Sequence, residues 1–157
     1  MIQDPIDKSV DQIASTLNGL IQTSKDGENG FRAAAGSVQD SNLRHLLESY
    51  AQQRAEFAAE LQFEVRRLAH DPVNTGHATA AVHRSWMDLK AGLTGRDEAS
   101  VIAECERGED SAVAVYRKAL ESDLPEDLRM IVQRQSSEVE QAHEHIRSLE
   151  RASARHG

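Results

Sequence analysis

Four stretches of this 157-residue chain repeat apolar side chains at intervals of three and four, and that spacing leaves few folds open. Positions i, i+3, i+4 and i+7 share one face of a helix, whereas a half-buried strand alternates apolar and polar residues. The first stripe is Ile13, Leu17, Leu20, Ile21, Ser24, Glu28, Phe31, Ala35 and Val38. With Asp7 or Ser9 available as a cap, it predicts a helix of about 30 residues. The second follows the polar turn Asp40-Ser41-Asn42 and runs Leu43, Leu46, Leu47, Tyr50, Phe57, Leu61, Val65, Leu68. The third is Val101, Ile102, Cys105, Glu109, Ala112, Val113, Tyr116, Ala119 and Leu120. The fourth opens after Ser122-Asp123-Leu124-Pro125 with Leu128, Ile131 and Val132, then continues through Gln135, Val139, Ala142, Ile146 and Leu149.

Short connections within each pair of stripes make antiparallel hairpins, while His70 to Gly76 breaks the pattern with proline and glycine. Val82, Trp86 and Leu89 have helical spacing, so the stretch from Ala78 to Gly92 is expected as a short helix within a long crossover. Aromatic residues make up only 4% and there are three prolines, which suits close-packed helices better than a sheet. The expected architecture is all-α: a four-helix bundle of two antiparallel hairpins joined by that crossover, one domain over residues 1–150 with a frayed tail at 151–157.

Polar groups interrupt the seam. Glu104-Cys105-Glu106-Arg107-Gly108-Glu109-Asp110-Ser111-Ala112 places carboxylates, a thiol and a glycine in the third stripe. Lys25-Asp26-Gly27-Glu28-Asn29-Gly30-Phe31 echoes it, Glu28 and Glu109 standing 81 positions apart, and Leu43-Arg44 recurs as Leu128-Arg129 after 85. These echoes predict two related halves. Gly27, Gly30 and Gly36 each weaken a helix by up to roughly 1 kcal/mol relative to alanine, so a close backbone approach is expected along the first helix.

Leu17-Asn18-Gly19-Leu20-Ile21, Lys25-Asp26-Gly27-Glu28, Tyr50-Ala51-Gln52-Gln53-Arg54, Trp86-Met87-Asp88-Leu89-Lys90 and the Glu104 to Asp110 run together give the chain a family likeness. On these motifs it resembles a bacterial group of ferritin-like four-helix-bundle proteins of unknown function. The resemblance spans almost the whole chain and implies the fold. It brings no established activity.

A di-iron site in such a bundle takes one inward Glu from each of two helices and a Glu-x-x-His from each of the other two. Glu28 and Glu109 fit the single-carboxylate roles. The second helix has no Glu-x-x-His, since Asn42 precedes His45 by three and Arg67 precedes His70 by three. The fourth carries Glu140-Gln141-Ala142-His143, but Glu140 falls roughly 100° from the centre of its stripe, with His143 at the flank. Glu28, Glu60, Glu109, Glu138 and His143 are therefore the candidate ligands of an incomplete site for iron or manganese. The competing reading makes Glu28 and Glu109 seam residues, hydrogen-bonded to Tyr50, Tyr116, Gln53, Gln135 or Arg54. Facing carboxylates repel unless a metal ion, Arg54 or Arg107 lies beside them.

A net charge of -8 opposes a nucleic-acid role. The first residues lack a signal-peptide pattern and no run is long and apolar enough to span a bilayer, so a cytoplasmic protein is expected, without membrane or nucleic-acid partners. Cys105 is the sole cysteine, which excludes an intrachain disulfide and reads as a small apolar core group. No phosphate loop or nucleophile motif is present and no catalytic residue is assigned. Two readings stand. One is a non-enzymatic structural or interaction protein with no cofactor, associating with itself through alanine-rich faces or with another protein. The other is an iron- or manganese-binding carboxylate bundle of di-iron oxidase or iron-handling type.

Overall fold

The computed structural model describes residues 5–68 and 97–156. These residues form four helices and no strand: α1 (Pro5–Ala35), α2 (Ser41–Arg67), α3 (Glu98–Glu121) and α4 (Glu126–His156). Helix α1 packs most closely on α2, and α3 on α4; α1 also packs on α3, while the α2–α4 seam is the loosest.

Local chemistry fixes the helix ends. Pro5 opens α1, where a missing N–H breaks no helical bond, so Asp7 and Ser9, expected as caps, lie inside the helix instead. Asp40 Oδ1 accepts the Leu43 N–H at 2.8 Å and Asp97 Oδ1 accepts the Ser100 N–H at 2.8 Å, capping α2 and α3. Helix α4 starts directly after Pro125 and runs to His156, through the segment expected as a frayed tail.

The Leu-Arg echo has a structural meaning. Arg44 Nη2 donates to Val38 O at 2.9 Å, and Arg129 donates to Leu120 O and Ser122 O, each at 2.7 Å. Each arginine sits early in the second helix of a hairpin and reaches back to carbonyls left unpaired where the first helix ends. The two halves thus close their turns in the same way.

The connectivity follows from a third contact. Glu98, in the first turn of α3, accepts the backbone N–H groups of Gln39 and Asp40 through Oε1 at 3.0 and 2.9 Å. Helix α3 therefore starts at the α1–α2 turn, the opposite end of the bundle from Leu68, where α2 finishes. This is the one-crossover connectivity. The crossover helix expected from Ala78 to Gly92, with Trp86, lies outside the described residues.

Two apolar clusters form the core. One gathers Leu17, Leu20, Leu61, Val65, Val113 and Val132; the other gathers Phe31, Leu47, Ala51, Val101, Cys105 and Ile146. No described helix is long and apolar enough to cross a membrane.

Replacing Glu98 by alanine removes the acceptor for two backbone donors. We expect a stability loss of about 1 kcal/mol in urea unfolding and faster hydrogen exchange at the Gln39 and Asp40 amides. Unchanged protection there would show that the contact does not hold the turn to α3.

Candidate functional site

Between the two apolar clusters lies a charged layer. Gly108 and Glu109 face inward on α3, and Arg54 faces inward on α2. Arg54 Nη1 and Nη2 donate to Glu109 Oε1 and Oε2 at 2.5 and 2.7 Å, a two-bonded fork that matches the carboxylate plane. The side chains are 2% and 0% exposed. The guanidinium carbon lies 5.3 Å from the ring centre of Phe31 and 5.9 Å from that of Phe57, so both rings can add cation–π attraction. The aliphatic part of Arg54 runs along Gly27: a Cβ there would sit 3.4 Å from Arg54 Cγ, a contact that an alanine makes without strain. The close approach expected on α1 is thus ordinary van der Waals packing at Gly27. Burial tends to neutralise Arg54, but the charge of Glu109 and the fork to it more than offset this, and the guanidinium's pKa rises.

A relay of neutral groups ending on a carboxylate crosses the bundle next to this pair. Tyr116 Oη donates to Gln135 Oε1 at 2.8 Å, which leaves Ser24 Oγ to donate to Tyr116 at 3.2 Å. Gln135 Nε2 donates to Glu60 Oε1 at 2.8 Å, so the relay joins all four helices. Burial pushes the Tyr116 phenol up to about 12; the Ser24 bond and Arg54 pull it down, while Glu109 and Glu60 push it further up. Burial, then the charge of Glu109, raises the Cys105 thiol in the same direction, which makes it inert at neutral pH. Tyr50 is raised too, by burial and then Glu109 against Arg54, and its hydroxyl meets His145 Nδ1 at 2.9 Å.

The five expected ligands lie in four separate places, only Glu60 and Glu138 being together. Glu28 is half-buried and accepts from Arg32 Nη2 at 2.7 Å, a turn further along its own helix. Glu109 belongs to Arg54. Glu60 and Glu138 come together around Arg134, the second at 3.4 Å, in an α2–α4 groove of about 520 Å³. His143 turns toward α3, where its Nε2 lies 2.9 Å from Glu106 Oε1 and 3.9 Å from Asp110 Oδ1. Glu140, its Glu-x-x-His partner, pairs instead with Arg117 at 2.9 Å. Glu106 and Asp110 belong to the acidic run noted in the sequence but were not among the candidate ligands. The readable signal was their four-residue spacing, which puts both on one face of α3, together with the flank position of His143.

Residues 12–122 match a family described as a domain of unknown function, DUF2383. No curated protein sequence matches the chain. Among solved structures, the chain is similar to the dodecameric thioferritin, a bacterioferritin-related protein, of Bacteroides fragilis. The TM-score is 0.74 at 16% identity, covering 93% of this chain and 88% of that one. It is also similar to Dps of Mycobacterium smegmatis, with a TM-score of 0.73 at 15% identity over 90% of this chain and 87% of that one. A hypothetical protein of Pyrococcus furiosus gives 0.65 at 11% identity, covering 88% of each chain. At these identities the likeness is one of fold: a ferritin-like four-helix bundle.

Two outcomes follow from the charged layer. Arg54→Met or Glu109→Leu alone strands a buried charge and should cost about 3–5 kcal/mol, whereas the double variant should cost far less than the sum. Additive losses in urea unfolding would mean that the two side chains do not act as a pair. Tyr116 binds its proton more tightly folded, at about 12, than unfolded, at the ordinary 10.0. Its contribution is therefore intact below the unfolded value and lost as pH climbs toward the folded one, at up to about 1.4 kcal/mol per pH unit. Tyr116→Phe should flatten the fall in stability above pH 10, and an unchanged slope would place the alkaline sensitivity elsewhere.

Proposed function

We infer that this chain, which belongs to the DUF2383 domain family of unknown function, is a non-enzymatic bundle that acts by association, first of all with further copies of itself. The observation that carries the reading is the Arg54–Glu109 pair. A ferritin-like di-iron centre calls for four inward glutamates and two histidines. Here α3 contributes one buried glutamate and α2 answers it with a guanidinium. Tyr116, which interacts with both members of the pair, is neutral and already bonded to Ser24 and Gln135, themselves neutral. This donor set does not fit two metal ions, because a fixed positive charge already neutralises the carboxylate they would share.

Support for association comes from the α2–α4 side. Phe63 on α2 and Met130 on α4 are 59% and 61% exposed, large apolar side chains that a lone bundle leaves in water. The antiparallel register set by Glu60 with Arg134 and Tyr50 with His145 places them at the same level of that seam. The similar Bacteroides fragilis protein is dodecameric, so this fold can assemble. We read residues 1–150 as one such unit in the cytoplasm, consistent with the buried, unpaired Cys105.

Light scattering coupled to size exclusion tests the reading. We expect a mass above the 17.3 kDa of one chain and a shift toward it in a Phe63→Glu, Met130→Glu double variant that keeps its helical circular dichroism. A monomer across the micromolar range would refute association. Fe(II) oxidation faster than in buffer, abolished by Glu109→Gln, would favour the di-iron reading instead.

A further inference from the structure

We propose that Glu106, Asp110 and His143 form a site for one divalent transition-metal ion on the α3–α4 face, apart from the Arg54–Glu109 pair. Three potential ligand atoms, one from each residue, lie within 4.8 Å of one another. Nε2 of His143 is 2.9 Å from Glu106 Oε1 and 3.9 Å from Asp110 Oδ1. Atoms in a tetrahedral shell with bonds near 2.1 Å stand roughly 3.4 Å apart, so the measured separations bracket what such an ion needs. Only side-chain adjustments are required. The two carboxylates are four residues apart on one face of α3 and the imidazole comes from α4, so the ion would join two helices.

Burial is graded across the site. His143 is 8% exposed and sits in the floor, Glu106 is half-buried, and Asp110, with a side chain 74% exposed, stands at the rim. A cation could thus enter from solvent, meet Asp110 first and keep an open position for water, as three-ligand zinc sites do. Arg107, Arg117 and Arg147 pair with Glu104, Glu140 and Glu144, while Arg147 and Arg151 also line the groove beside Glu106. Among the described residues no arginine or lysine forms an ion pair with Glu106 or Asp110, and like charges four apart on a helix repel. One imidazole nitrogen with two carboxylate oxygens suits a zinc-like or manganese-like ion better than calcium or magnesium, which favour all-oxygen shells.

The alternative is that His143 simply hydrogen-bonds Glu106 to tie α3 to α4. The experiment is a zinc titration of the untagged, chelator-stripped full chain by calorimetry, with Co(II) absorption as a second readout. We expect one zinc per chain, affinity lowered at least roughly tenfold in Asp110→Asn and in Glu106→Gln, and loss of the Co(II) ligand-field bands in His143→Ala. Asp110 is exposed enough that its variant folds without the site. Zinc should also raise the melting temperature of the native chain and not that of Asp110→Asn. The proposal is overturned by no zinc uptake, by wild-type affinity in Asp110→Asn and His143→Ala, or by binding that Glu60→Gln removes and His143→Ala does not.

Discussion

A carboxylate with no exposed surface cannot stay charged inside a bundle unless something opposite in sign lies against it, and the architecture around Glu109 is built to that requirement. Arg54 supplies the charge, a planar fork to receive both oxygens, and an aliphatic stem that packs beside Gly27. Phe31 and Phe57 flank the guanidinium from α1 and α2, so three helices contribute to holding one ion pair. The pair divides the core: the apolar clusters at the two ends of the bundle are separate groupings. Sliding α2 or α3 by one turn would strand one charge, and that penalty is larger than what the pair adds to stability over apolar packing. Its value to the fold lies in register.

The neutral relay follows from the same requirement. Ser24, Tyr116 and Gln135 are buried polar groups close to a charged layer, and each bonds to the next until the chain reaches Glu60 at the half-exposed α2–α4 seam. Water access at that seam is what ends the relay. The seam is also the loosest helix contact, and there Glu60 and Glu138 meet Arg134 while Tyr50 meets His145. Polar side chains bridge it where interlocking apolar surfaces are lacking.

Periodicity placed the starts of α2, α3 and α4 to within a few residues, and for α2 and α4 the Asp40 turn and Pro125 agree with the stripes on where the helix begins, whereas the Asp97 cap of α3 is seen only in the structure. The Leu-Arg echo was readable as a repeat, and its work at the hairpin turns became visible only when Arg44 and Arg129 were seen reaching back to carbonyls. The Gly-Glu echo misled in one half. Glu28 and Glu109 share a dipeptide and a repeat position, yet Glu28 lies at the flank and bonds within α1, whereas Glu109 is central. A stripe as wide as a helix face does not tell its centre from its edge, and a residue's side of the seam depends on how far the helix is rotated about its axis. Arg54 was named as a possible partner for the seam glutamates, but its full burial has no local signature: Arg is among the residues least often buried.

The acidic run on α3 shows how one stretch can carry separate chemistries. Glu104, Glu106, Glu109 and Asp110 fall within two turns, and at about 100° per residue their side chains leave the helix in different directions. Glu104 meets Arg107 on its own helix, Glu109 meets Arg54 across the core, and Glu106 and Asp110 share the flank that faces His143 of α4. Had these charges clustered on one face, they would have repelled one another and melted the turn or demanded a metal centre in the core. Spread around the axis, Glu104 and Glu109 each meet an arginine of their own, and Glu106 and Asp110 share His143. The glutamate that faces inward is held by a guanidinium that cannot leave, and the pair that faces outward is left where an exchangeable ion can reach it.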